Sequence, residues 1–231
     1  MINTRALAIG ALGFVVSTHA LYSQGRPQYR DFQLGGNLAS ISALTGVAAS
    51  EARTIHLRPS MMQELQWRRP YSASGTPAAE RDPVQQIAFS FYNDQLSKMV
   101  VDYDRDRTAG MTDADLIDAL STEYGPRLKP GVRINRGVPS RLEEESGLSV
   151  ARWGDADYSV VLYRSSYASG FRIIVTSPRL EALARTADAE AIRLDDRDAP
   201  RREIARQKKE TEDARATQEK ARLANKAAFR P

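Results

Sequence analysis

The twenty residues Val84-Gln-Gln-Ile-Ala-Phe-Ser-Phe-Tyr-Asn-Asp-Gln-Leu-Ser-Lys-Met-Val-Val-Asp-Tyr103 decide the fold. Ile87, Phe89 and Phe91 alternate with small or polar residues, which is the two-residue period of a strand with one buried face. Asn93-Asp94 supplies two residues that tolerate positive φ, and Leu96 to Val101 carries the chain back. The segment therefore predicts a β-hairpin over Val84–Tyr103. Met99-Val100-Val101 is apolar on both faces, so alternation leaves the register of the second arm open.

Working outward, the next strong signal is Gly110-Met111-Thr112-Asp113-Ala114-Asp115. Thr112 and Asp115 have the spacing of a capping box. Leu116, Ile117, Leu120 and Tyr124 then form an apolar stripe, and Gly125-Pro126 stops the helix. An earlier, shorter helix runs from Asn37 to Gly46, with Leu38, Ile41 and Leu44 at helical spacing. Met61 to Trp67 reads as a strand and Arg69 to Pro83 as a loop. Leu128 to Ser146 is a polar linker. Val150 to Trp153, Tyr158 to Tyr163 and Phe171 to Thr176 form a second group of strands, with Ser165-Ser166-Tyr167-Ala168-Ser169-Gly170 as the turn between the last two. A helical segment with Leu180, Leu183 and Ile192 as its stripe follows to Asp198, and Pro200 opens a final charged stretch.

The order is helix, strands, hairpin, and then the same again. Gly35-Gly36-Asn37 and Gly110-Met111-Thr112 occupy equivalent places, each with a glycine two residues before a polar cap. The expected organisation is an α+β domain over 32–177, divisible into repeat halves at 32–105 and 106–177. Short helices pack on an antiparallel sheet, and 178–231 is a charged helical or partly disordered tail.

The N-terminus reads as a secretory signal over 1–20, followed by a polar leader over 21–31. Arg5 makes a positive start, Ala6 to Val16 is an apolar run too short for a membrane span, and Thr18 and Ala20 are the small residues of a cleavage site. The chain has no cysteine, which excludes a lipid anchor, disulfides and thiolate chemistry. The expected location is the periplasm or the exterior.

Charge is unevenly placed. Of 33 basic and 29 acidic residues, 10 and 5 lie from Arg201 onward, leaving 23 and 24 before it. The body is near neutral and the positive excess belongs to the tail. Its Ala, Glu, Lys, Arg and Gln favour helix. Ile204 and Leu223 are too far apart to make a heptad seam, so a self-sufficient coiled coil is not expected.

Gly110-Met111-Thr112 ahead of an apolar helix and antiparallel strands resembles the small outer-membrane-assembly lipoproteins, and two such units in tandem resemble the β-lactamase inhibitory proteins. The resemblance spans about residues 30 to 177 and extends to uncharacterised bacterial envelope proteins. It implies an exported module with helices on an antiparallel sheet, binding through a sheet face and its loops without catalysis. The lipoproteins' lipidated cysteine is missing here, so their membrane attachment does not carry over.

Four sets of residues are candidates for chemistry. Asp102, Asp104, Asp106 and Asp113 fall at positions 1, 3, 5 and 12 of a calcium loop, but Arg107 stands where such a loop needs glycine. His56 is the one histidine after the leader and has no sequence neighbour that marks it as a catalyst or ligand. Asp155 and Asp157 beside Trp153 offer a carboxylate pair near an aromatic, the basis of an alternative reading as an envelope hydrolase; their residue types also suit a tight turn. Tyr158, Tyr163, Arg164, Tyr167, Phe171 and Arg172 mix aromatics with arginine on one hairpin, as protein-binding patches do.

The reading favoured by the sequence is a non-enzymatic exported interaction module. It needs no cofactor or metal and meets a protein partner in the envelope, with anionic surface contact through 201–231. A structural protein that binds polyanions through this tail is the second alternative. N-terminal sequencing of the protein from its native envelope fraction should begin at or near Leu21, and an intact Met1 on cytoplasmic protein would overturn the signal.

Overall fold

A computed structural model describes residues 27–70, 82–129, 146–164, 170–228 and 230. The signal and most of the leader lie outside these residues, as do most of the Arg69–Pro83 loop, the linker after Lys129, the turn containing Tyr167, and Phe229.

The predicted hairpin is the centre of the molecule. β5 (Val84–Tyr92) and β6 (Gln95–Tyr103) pair antiparallel through an Asn93-Asp94 turn in which both residues have positive φ, 46° and 62°. Ile87 faces Val101 and Phe89 faces Met99, with a bulge between Ser90 and Phe91. The remaining strands are β3 (Arg53–His56), β4 (Met62–Arg68), β7 (Leu148–Gly154), β8 (Ser159–Arg164) and β9 (Phe171–Thr176). They complete a seven-stranded antiparallel sheet ordered β3-β4-β5-β6-β9-β8-β7. Two short strands, β1 (Gln28–Tyr29) and β2 (Phe32–Gln33), pair separately.

Each half of the sheet is a meander that follows a helix. α1 (Leu38–Thr45) precedes β3–β6, and α2 (Asp113–Tyr124) precedes β7–β9. The last strands of the two meanders, β6 and β9, meet antiparallel at the centre. The helix entries match closely. Gly35 and Gly110 have φ of 83° and 80°, left-handed values that a side chain would resist. Two residues on, Asn37 and Thr112 are extended caps whose side chains accept from the amides of Ser40 and Asp115. At Thr112 the capping box closes, because the Asp115 carboxylate accepts from the Thr112 amide at 2.7 Å.

Both helices cover one face of the sheet. Ile41, Leu116, Leu120 and Tyr124 join Leu65, Ile87, Phe89, Met99, Val101, Ile173, Val175 and Trp153 in one core. The second face carries a smaller cluster of Val100, Val161, Tyr163 and Ile174, with Ala88 packed against it. α3 (Pro178–Ala228) lies against this side over β5 and β6, where Glu181 pairs with Lys98 at 3.2 Å. Its buried residues are Leu180, Ala184, Ala187 and Ala191. Leu183 and Ile192, expected in the stripe, are exposed, because they lie to the sides of the line that Leu180, Ala184, Ala187 and Ala191 turn toward the sheet.

Two further features depart from expectation. β3 carries no alternating apolar pattern and sits at the sheet edge with Arg53, Thr54 and Ile55 exposed. Pro200 does not open a new segment, because α3 runs through it. Proline cannot donate to the carbonyl one turn back, that of Asp196; beside it the Arg202 guanidinium reaches the Asp195 carbonyl at 2.8 Å and the Asp195 carboxylate at 3.2 Å.

Leu120 is 8 % exposed on the core side of α2, so Leu120→Ala should cost about 2–4 kcal/mol. Thr112→Ala should cost about 1 kcal/mol through the lost cap. Denaturant unfolding measures both, and an unchanged midpoint for Leu120→Ala would show that α2 does not pack there.

Candidate interaction surface

The β8–β9 hairpin does not present the expected aromatic face. Tyr158, Tyr163 and Phe171 are 4–5 % exposed. Tyr158 stacks at a tilt beside Tyr124, with ring centroids 6.4 Å apart. Tyr163 belongs to the cluster on the second face. The Arg164 guanidinium lies 5.0 Å from the Phe171 ring centroid and 2.7 Å from an Asp113 oxygen, tying β8 to the start of α2. Arg172 donates to Asp102 at 2.5 Å and to Ser146 at 3.2 Å. Tyr158 and Phe171 belong to the core under the two short helices and Tyr163 to the cluster on the second face, so both sides of this hairpin carry buried aromatics. Tyr167 lies outside the described residues.

Most of the other candidates are likewise committed within the fold, while Asp106 and Asp157 are exposed and enter it through their amides. Asp155 accepts from the amides of Asp157 and Tyr158, at 2.8 and 3.3 Å, and so closes the β7–β8 turn. Gly154 begins that turn at φ 120°, and a Cβ there would sit 2.2 Å from the Tyr158 carbonyl oxygen. Trp153 is fully buried and donates to Ser121 at 3.2 Å. Asp102 receives Arg172 and Gln86, and Asp104 receives Arg69 and the amide of Asp106. The Arg69 guanidinium holds the Asp104 carboxyl below its ordinary range. No cluster of three or more histidine or carboxylate side chains stands ready for a metal among the described residues. His56 points its Nε2 at Asp188 on α3, 3.0 Å away.

That histidine contact belongs to a series. Lys98–Glu181, His56–Asp188, and Arg58 with Asp195 and Asp198 (3.6 and 2.7 Å) carry α3 from the sheet centre to its β3 edge. Beyond Asp198 contact with the body ends, and every described residue from Ala199 to Ala228 is exposed. At about 1.5 Å per residue, the free part from Arg201 is a rod about 40 Å long.

Acid–base pairs one turn apart run along this rod. Arg206 meets Glu203 and Glu210, Lys208 meets Glu212, and Arg222 meets Glu219. Hydrogen bonds from Arg206 and Arg222 hold Glu203 and Glu219 below the usual carboxylate range. Arg201, Lys209, Arg215, Lys220 and Lys226 have no ion-pair partner among the described residues; of the carboxylates, Asp213 alone has none. The charge left over on the arm is therefore positive. The sequence signal for it was the basic excess after Arg201; what the sequence did not reveal was that the aromatic hairpin would be buried.

The body's interior has a pH signature of its own. Burial holds the hydroxyls of Tyr29, Tyr103, Tyr124 and Tyr158 above the ordinary tyrosine range. The unfolded chain releases these protons near pH 10 while the folded chain retains them, so stability is present below about pH 10 and is lost as pH rises above it. The melting temperature should fall between about pH 9 and 11, with phenolate absorbance rising as the chain unfolds. Reversible titration of all tyrosines near their ordinary value in the folded chain would contradict this burial. No protein family, curated protein or solved structure matches this chain.

Proposed function

We propose that the protein is a non-enzymatic, exported interaction module of the cell envelope, and that its binding element is the free part of α3 rather than the β8–β9 hairpin. The observation that carries this reading is the exposed helical rod over Ala199–Ala228, held at its base by the α+β body. A helix of this length that buries nothing offers its whole circumference to a partner. The body supplies rigidity: the apolar contacts of Leu180, Ala184, Ala187 and Ala191 and the ion pairs to Lys98, His56 and Arg58 hold the rod's base.

The support for binding over catalysis is the fate of the reactive side chains. Asp155, Asp102 and Asp104 are each engaged in a turn or an ion pair, and Trp153 is interior. The apolar run at 6–16 and the small residues at Thr18 and Ala20 support export. Among the described residues, no helix is long and apolar enough to cross a membrane.

Ending the chain after Pro200 separates body from arm. The truncated protein should keep its melting temperature within about 2 °C of the full chain, because the removed residues bury nothing. Partner recovery by cross-linking from the native envelope fraction should be lost. Equal recovery by both forms would place the binding element on the body and overturn the proposal.

A further inference from the structure

The charged groups of the free arm are not spread evenly around it. At about 100° per residue, Glu203 and Glu210 fall together on one side of the rod, and Glu212 and Glu219 fall together on another. Between them lies an arc of more than about 120° that holds no carboxylate. Gln207, Thr211, Gln218 and Asn225 line one flank of this arc, and Lys208, Arg215, Arg222 and Lys226 line the other, with Ile204 between. Among the described residues Arg215 and Lys226 have no ion-pair partner; Lys208 and Arg222 lean toward Glu212 and Glu219 at the arc's border. The arc therefore offers cations and uncharged hydrogen-bonding side chains along the length of the rod, while the rest of the circumference mixes both signs.

We infer that this arc lies flat on an anionic phospholipid surface, with Lys208, Arg215, Arg222 and Lys226 facing the headgroups. The inference rests on the arm being the binding element and names what it meets. Charge complementarity selects an anionic partner, and geometry selects a flat one. A rod on a plane presents one side only, so its carboxylates can face away. In a nucleic-acid groove, phosphates flank the helix on both sides and would meet Glu203 and Glu210 as well as Glu212 and Glu219. Residues 201–228 contain no aromatic ring for stacking on bases. The arc holds one large apolar group, Ile204, so the contact is electrostatic and superficial, without the apolar face that buries an amphipathic helix in the acyl region. Each basic side chain near such a surface contributes modestly, and salt weakens the sum.

Two pairs of substitutions with the same change in net charge separate a directed contact from general attraction. Arg215→Gln with Lys226→Gln removes two unpaired cations from the arc, and Lys209→Gln with Lys220→Gln removes two unpaired cations outside it. Neither pair breaks an ion pair of the rod, and glutamine favours helix, which far-UV circular dichroism verifies. The full chain is sedimented with vesicles of phosphatidylcholine alone or mixed with phosphatidylglycerol. Binding is expected only to the mixed vesicles, weakening with added salt. The arc pair should lower the apparent affinity on the order of tenfold and the other pair by less than about threefold. Arg215→Lys, which keeps the charge, should bind as the unaltered chain does. Equal losses from the two pairs, binding to phosphatidylcholine alone, or tighter binding to duplex DNA than to the mixed vesicles would each overturn the inference. If vesicle binding fails while partner recovery still depends on residues after Pro200, the arm remains the binding element and only its partner's chemistry is wrong.

Discussion

The pairing of β6 with β9 is the contact on which the rest of the molecule depends. It joins two helix-and-meander halves that otherwise share no strand, and its residues are buried on both sides. Met99, Val101, Ile173 and Val175 face the two short helices, and Val100 and Ile174 face the other way. A one-residue slip in an ordinary half-buried strand turns apolar groups to water and is resisted for that reason. Here both faces are apolar, so that restraint is weak. Register is set instead where the polar residues begin. Asp102 stands opposite Arg172 and bonds to it at 2.5 Å, and at the other end Lys98 stands opposite Thr176 and reaches Glu181 on α3. A slip would break both charged contacts in a partly buried setting, where an unpaired charge is costly.

This explains which parts of the fold were legible in the sequence. The helix entries were, because a positive-φ glycine followed by a polar cap is a local arrangement and needs no tertiary partner. Gly35 with Asn37 and Gly110 with Thr112 show nearly the same geometry 75 positions apart. The hairpin was legible from Ile87, Phe89 and Phe91, whereas its register was not, since Met99-Val100-Val101 shows no polar side to count from. β3 escaped notice because an edge strand of four residues, three of them exposed, has no apolar face to repeat.

The expectation that Tyr163 is surface fails for a related cause, whereas Tyr158 and Phe171 are buried on the face that the two short helices cover. Alternation shows that a strand has two environments and says nothing about whether the second is water or another layer. The helix that covers part of the second face does so with Ala184, Ala187 and Ala191. In a sequence these alanines look like helix formers with no direction, while the larger Leu183 and Ile192 look like the stripe and are in fact exposed.

Pro200 is the instructive case for the candidate site. A proline in a charged, alanine-rich run is a sound reason to end a helix, since it removes one hydrogen bond and crowds the turn before it. Nucleation is the larger obstacle for an isolated helix, and in α3 it is already met by the docked residues from Pro178 to Asp198. Each residue beyond them adds to a helix that exists. At Pro200 the Asp196 carbonyl loses its helical donor, while the Arg202 guanidinium bonds to the neighbouring Asp195 carbonyl. The seam also changes character at this point. Leu180, Ala184, Ala187 and Ala191 contact the body, and continuing that line at the 3.6-residue period brings Arg202, Ala205, Lys209 and Lys220 to the same side. From Arg202 onward cations interrupt the apolar seam, and Ala216, Leu223 and Ala227 follow them on the same side. The arm is therefore free because its sequence has little left to bury on the side that faces the body, and the cations of the proposed contact, Lys208, Arg215, Arg222 and Lys226, lie on a different side of the rod.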